Sequence, residues 1–263
     1  MFHKLLLTLT TFAPLAIAQI QHQVAPLPLP NGDVLLVGTT LSTTALGLYP
    51  LSQHQQITLS TQGPAPRVSG FASLGGSGND VPQAAAVDPS GNIWIAGNTD
   101  SDDFSLVNPI VSRKVPYREA GFVLELDPTG TKLLFATYLA GQTPAPLFPP
   151  CLRCSYSSSV TAMAIDAAGN AYVGGSTNET DFPTTPGAFM TKGGIVGASS
   201  FGDVFYYSFA VKISPAGKLV FSTLLGTGAD GCNGGSACIG SSRAWLMSKV
   251  WQWIARVLLQ QRA

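Results

Sequence analysis

Oxygen-bearing side chains, most of them acidic, crowd two short stretches of this 263-residue chain: Asp100, Asp102 and Asp103, then Asn178, Glu179 and Asp181. Hard oxygen ligands this close in sequence could hold Ca²⁺. The same residues suit side-chain-to-backbone bonding, with Asp103 and Asp181 shaping the turn before Phe104 and Phe182. The structural role is preferred. Asp88 and Asp166 also recur in matching surroundings, which invites a catalytic role. An acid repeated in every unit serves a turn better than a single central site. Histidine is scarce: after His3 come only His22 and His54. A Ser-His-Asp triad or a histidine metal centre would have to recruit one of these two. No catalytic residue, metal centre or cofactor is assigned.

Cys151, Cys154, Cys232 and Cys238 are disulfide candidates, with all three connectivities open. A Cys-x-x-Cys spacing could signal redox or zinc chemistry. However, Cys151 follows Phe148-Pro149-Pro150 in a loop, and the second pair is spaced differently. A structural staple or plain thiols is the preferred role. The compartment bears on this. Residues 1–18 read as a secretory signal peptide, with Lys4 at the start, an apolar run over 5–15, and Ala16-Ile17-Ala18 before Gln19. The apolar run is too short for an ordinary transmembrane helix. The chain is expected to be secreted or held at the cell surface, where disulfides persist.

Lys plus Arg and Asp plus Glu both count 14, so no bulk field recruits nucleic acid or an anionic membrane. With 45% hydrophobic and 11% charged residues, the chain does not have the composition of a disordered one. Its 28 glycines and 19 prolines, set among β-branched and aromatic residues, favour short strands and tight turns.

The acids sit in a repeated text. Residues 84–97, AAAVDPSGNIWIAG, return at 162–175 as AMAIDAAGNAYVGG, and 31–38 echo them more weakly. Such internal repetition is the mark of a repeat architecture. In the first full unit Asp88-Pro89-Ser90-Gly91 reads as a turn between strands, Pro presetting φ and Gly accepting a positive one. Ile93 and Ile95 then share one strand face, and Trp94 and Ala96 the other. Phe122, Leu124 and Leu126 alternate with Val123 and Glu125 before a second turn, Asp127-Pro128-Thr129-Gly130. Leu133, Phe135 and Leu139 mark a returning strand, with Leu134, Ala136 and Tyr138 facing the other way. The second unit repeats the plan around Asp166-Ala167-Ala168-Gly169 and Ser214-Pro215-Ala216-Gly217. Each unit is two hairpins. Strands apolar on both faces need covering on both, and radial stacking of four-stranded sheets supplies it. Trp94 and Tyr172 occupy equivalent positions and are expected in the packing between sheets, in preference to a sugar-stacking platform. Asn178-Glu179-Thr180 also fits an N-glycosylation acceptor, a short pattern that is common by chance.

The Asp-x-x-Gly-Asn hairpin that ends on Gly97 or Gly175 resembles the bacterial SBBP-type β-propeller repeat family of secreted proteins. So do the run 177–189 and the stretch from Phe209 through Ser214-Pro215-Ala216-Gly217 to Gly226. The resemblance covers 70–228 well and 31–70 poorly. It implies a propeller at or outside the cell surface and brings no catalytic residues. Asp103-Phe104-Ser105 stands where the second unit has Asp181-Phe182-Pro183, and an insertion at 113–119 interrupts the first unit.

The expected fold is all-β: a partial β-propeller of four-stranded antiparallel blades, two clear units and a degenerate one. It divides into a signal peptide (1–18), a Pro-rich lead-in with the degenerate repeat (19–69), the propeller repeats (70–230) and an atypical tail (231–263). Propellers usually close with about four to eight blades, so a truncated copy or an assembly is expected. The expected role is an extracellular binding or structural scaffold whose ligand is a protein or polysaccharide. The alternatives are a fragment of an extracellular propeller enzyme acting on glycans or lactones, and membrane association through the tail. Residues 243–263 hold three of the four tryptophans, four cations and no acid, which suits a basic amphipathic helix. A frameshift accounts for the tail better. Trp251-Gln252-Trp253-Ile254, read from the third base, spells Ala-(Val or Met)-Asp, the wording that precedes each turn. The encoding DNA is expected to carry an open, repeat-like continuation in the alternate frame, and sequencing that finds none rejects the frameshift.

Overall fold

The structure is a computed structural model that describes residues 22–29, 32–44, 52–62, 74–143, 157–193 and 206–226. The signal segment, the four cysteines and the tail lie outside the described residues. Within them, twelve strands form three antiparallel sheets. The first sheet holds β1 (His22–Gln23), β2 (Leu27–Pro28), β3 (Val34–Thr44) and β4 (Ser52–Gln62). The second runs β5 (Asp80–Val87), β6 (Ile93–Thr99), β7 (Ala120–Leu126) and β8 (Leu133–Leu139) in sequential order. The third does the same with β9 (Ser158–Ile165), β10 (Ala171–Thr177), β11 (Tyr207–Ile213) and β12 (Leu219–Leu225).

The second and third sheets are the two-hairpin units expected from the repeat, and the described sheets do not close into a ring. The first sheet departs from expectation. Its β3 does not stop at Gly38 but runs on to Thr44, paired along its whole length with β4. The Pro-rich lead-in contributes β1 and β2, which lie end to end along the other edge of β3. Pro28 is tolerated there because an edge strand has one side with no ladder bond to make.

Alternation sends the side chains of the middle sheet to two cores. Ile93, Ile95, Phe122, Leu124, Leu126 and Tyr138 pack towards Leu35, Val37, Ile57 and Leu59 of the first sheet and Leu74 beside it. Trp94, Ala96, Val123, Phe135 and Leu139 pack towards Val160, Val173, Phe209 and Val211 of the third. One expectation fails here. Leu133 faces the first sheet and not the side of Phe135, because the register of β7 against β8 slips at Leu134: Leu126 pairs with Leu133 and Glu125 with Phe135. A bulge residue reverses the facing of everything beyond it.

A matching pair of bulges in the other hairpins explains the last glycine of the repeat. Gln83 in β5 and Thr161 in β9 are the extra residues, opposite Gly97 and Gly175. A Cβ on Gly97 would collide with the Val81 carbonyl oxygen, and one on Gly175 with the Ser159 carbonyl oxygen and the Phe209 ring. The backbone of the bulged strand and a core aromatic therefore occupy the side-chain space. Gly97→Ala and Gly175→Ala are each expected to lower the unfolding free energy by about 1–3 kcal/mol, measured by urea denaturation.

Candidate functional site

The two acidic stretches follow β6 and β10 at equivalent places, and the chain that enters each sheet runs alongside them. Asp103 Oδ1 accepts the Ser77 N–H at 2.7 Å and the Ser77 hydroxyl at 3.0 Å. Asp100 accepts the Asn79 N–H and, at 2.9 Å, the Asn79 amide. In the next sheet Asp181 Oδ2 accepts the N–H groups of Gln142 (3.0 Å) and Thr143 (2.8 Å), and Asn178 Oδ1 accepts that of Ser157 (2.7 Å). Asp100, Asp103 and Asp181, together with Asn178, therefore clamp the connection arriving from the preceding sheet. The close approach needs a bare backbone: a Cβ on Gly76 would strike Asp103, and one on Gly141 would strike Asp181. Asp102 points elsewhere, pairing with Lys114 Nζ at 2.5 Å. Lys114 is buried and also donates to the carbonyls of Asp100 and Arg118, so it ties down the insertion at 113–119. Among the described residues no group of three His, Cys, Asp or Glu side chains is arranged to hold a metal ion.

Beneath each clamp an acid and a hydroxyl have exchanged places between units. Asp80 opens β5 and accepts the hydroxyls of Thr99 (2.5 Å) and Ser101 (3.1 Å), with the Gly76 N–H at 2.8 Å. Ser158 opens β9 and donates to Glu179, which stands where Ser101 stands and also accepts the Gly141 N–H at 2.7 Å. Burial raises the pKa of both Asp80 and Glu179, against the lowering effect of these donors. One carboxyl per unit satisfies the buried polar groups there, whichever strand carries it.

The aromatic that follows each clamp inserts into the sheet. Phe104 lies 4.8 Å from Phe122 and 5.9 Å from Tyr138, and Phe182 stacks on Phe209 at 4.5 Å. The Tyr138 hydroxyl accepts the Phe104 N–H and donates to the Ser101 carbonyl, while burial pushes its pKa up to about 12. The chain then lies along the outer strand. Val107 and Ala136 exchange backbone bonds, and Thr137 Oγ1 accepts the N–H groups of Ile110 and Val111. Thr185 and Met190 do the same for Ser222, Thr223 and Leu224. These connections cover the edges of β8 and β12, which would otherwise offer open ladders to another chain.

At the opposite end of the sheets lie the tight turns. Asp88 Oδ1 accepts the N–H groups of Ser90 and Asn92, and its Oδ2 accepts the Trp94 indole N–H at 3.3 Å. Asp166 repeats this with Ala168, Asn170 and the Tyr172 hydroxyl. Each acid therefore shapes its turn and holds the aromatic six residues on. Burial alone would raise the Asp166 pKa, but the donors from Asn170, Tyr172 and Ala168 outweigh it and hold the carboxyl below its usual range. Trp94 is 0% exposed, which rules out a sugar-stacking platform at that position.

A crevice of about 290 Å³ opens at this end between the second and third sheets. It is lined by Asn92, Asn108, Glu125, Leu134, Phe135 and the turn Pro215-Ala216-Gly217. Glu125 is the residue that sequence reasoning passed over as one more alternating position. Its signal was present: an acid in a strand whose seven residues are all buried. Its side chain accepts the Asn92 amide at 2.8 Å. Burial, with Asp88 nearby, pushes its pKa up to about 7 in spite of that bond.

Family comparison finds the beta-propeller repeat, SBBP, matching residues 72–105 and 155–183. The first match runs from the clamped connection to the residue after Phe104, and the second ends one residue after Phe182. Over these spans the chain matches β-propeller repeats, and the described sheets are blades of a partial propeller that do not close into a ring. A comparison with curated proteins found no match.

The Glu125 pKa makes a pH prediction. The folded state keeps the proton from about 4.5 up to about 7, whereas the unfolded chain releases it near 4.5. This contribution to stability is present below pH 4.5 and is lost as pH rises through 7. Glu125→Gln keeps an acceptor for Asn92 and removes the ionisation. Relative to wild type, the variant should gain on the order of 3 kcal/mol of stability from pH 4.5 to 8, read from urea unfolding at each pH.

Proposed function

We propose that this chain is an exported, non-catalytic propeller-repeat scaffold that binds an extracellular protein or polysaccharide through the connections between the second and third strands of its sheets. The observation that carries this is the contrast between acids and aromatics on those connections. Asp100, Asp102, Asp103 and Asp181 are all engaged within the chain itself, in clamps and an ion pair. Tyr117 and Phe189, on the same two connections, are 93% and 81% exposed. Tyr117 is also held at a φ of 58°, with its N–H directed at the Asp102 carboxylate, so its backbone is fixed while its ring stands in solvent. Exposed aromatic rings on anchored loops suit stacking on sugars or insertion into a protein surface.

Export rests on the sequence of residues 1–18. The full chain, expressed with a C-terminal tag, should be recovered outside the cytoplasm with Gln19 as its first residue. The double substitution Tyr117→Ser and Phe189→Ser should weaken retention of that mature chain on the producing cell surface at least tenfold, with unchanged unfolding. An unprocessed cytoplasmic chain rejects export, and undiminished retention rejects the aromatic contacts.

A further inference from the structure

The crevice beside Glu125 is a place where the two repeat units differ in charge. In the third sheet Lys212 occupies the strand position that Glu125 holds in the second. Its ammonium lies 4.9 Å from the centre of the Tyr172 ring and 3.7 Å from Asp166 Oδ2. An acid, an aromatic ring and a cation thus form one group at the end of that sheet. In the second sheet the equivalent acid and ring, Asp88 and Trp94, are bonded to each other, and Glu125 replaces the cation with a second carboxyl. Asn92 turns its amide to Glu125, whereas Asn170 turns its amide back to Asp166.

Glu125 is only 4% exposed and has no cationic partner among the described residues. Without a counter-charge the buried carboxyl holds its proton up to about pH 7, and an ammonium group seated beside it would stabilise the ionised form in place of that proton. The crevice that Glu125 lines has the shape for that. Its volume, about 290 Å³, is at the lower limit for small-molecule pockets and suits an end group and not a large ligand. Phe135 supplies an aromatic ring, which attracts a cation placed over its face. Asn92 and Asn108 also line the crevice, Asn108 fixed at a φ of 48°, and amide side chains carry acceptors as well as donors. Acceptors, an aromatic ring and a buried carboxyl together select a donor that carries positive charge.

We propose that the crevice between the second and third sheets is a binding site for a primary ammonium group, with Glu125 as its counter-ion and Phe135 as its aromatic wall. The site stands on the crevice itself and not on export or on Tyr117 and Phe189, so either reading can fail alone.

Isothermal titration of the full chain at constant ionic strength tests it with n-propylammonium, Nα-acetyl-lysine methylamide and the Nε-acetylated, uncharged form of the latter. Both ammonium probes should bind saturably. Tighter binding of the lysine derivative assigns the site to a lysine side chain, and equal binding assigns it to any small primary amine. Glu125→Gln should weaken both at least tenfold, the loss expected when a charged hydrogen bond becomes a neutral one. Ala216→Trp, a change on an exposed turn that fills the mouth of the crevice, should abolish binding by blocking access. Equal affinity in Glu125→Gln, equal affinity for the uncharged probe, undiminished binding to Ala216→Trp, or no saturation with either ammonium probe overturns the proposal.

Discussion

The middle sheet of this protein is apolar on both faces, and that constraint organises everything else in the described structure. In the middle sheet Ile95 and Trp94 are adjacent in sequence, point to opposite sides, and are both 0% exposed. Neither hairpin nor single sheet can hide both. Burying an aromatic or large aliphatic side chain contributes about 1.5–3 kcal/mol, so leaving one face of such a sheet in water would forfeit several such terms at once. Stacking sheet against sheet is the solution, and each added sheet covers its neighbour while presenting a new face of its own.

Stacking then has to be aligned, and polar groups do this at the two ends of the sheets. At one end Asp103 and Asp181 hold the arriving connection by its backbone N–H groups. Phe104 and Phe182, next in sequence, pin the departing connection into the core. At the other end Asp88 and Asp166 close their turns and fix the orientation of Trp94 and Tyr172. Between the sheets the Asn98 side-chain carbonyl accepts the Val160 N–H at 2.7 Å, which registers β9 against the middle sheet. The exchange of Asp80 and Ser101 for Ser158 and Glu179 shows which of these features the fold requires. It requires one carboxyl in the buried hydroxyl cluster, and either strand can supply it.

Much of this was legible in the residues. Period-two alternation with Gly-containing turns identified eight strands of the two clear units, and the recurrence of Asp88-Gly91 as Asp166-Gly169 marked its acid as a turn residue. What escaped notice was of two kinds. Bulges at Gln83, Leu134 and Thr161 leave no mark on composition, yet each shifts which side chains face which core. Partners distant in sequence were equally hidden: nothing near Asp103 or Asp181 indicates that they bind Ser77 and Gln142. The long pairing of β3 with β4 was obscured because the polar residues of β4 do not repeat the wording of the later units.

The all-β class, the repeat and its turns are written in the residues, because local backbone preference and the spacing of apolar residues act within a few positions of each other. The partners of the acids come from the packing of distant segments. Asp100, Asp102, Asp103, Asn178, Glu179 and Asp181 have the right chemistry for a metal. The folded chain brings them backbone N–H groups, the hydroxyls of Ser77 and Ser158, the Asn79 amide and one lysine. It also decided the standing of Glu125, an ordinary strand residue in the text. The next sheet's turn closes over its strand, buries the carboxyl and leaves a crevice beside it. Burial and opposing partners are properties of contact between sheets, and no window along the chain contains both sides of that contact.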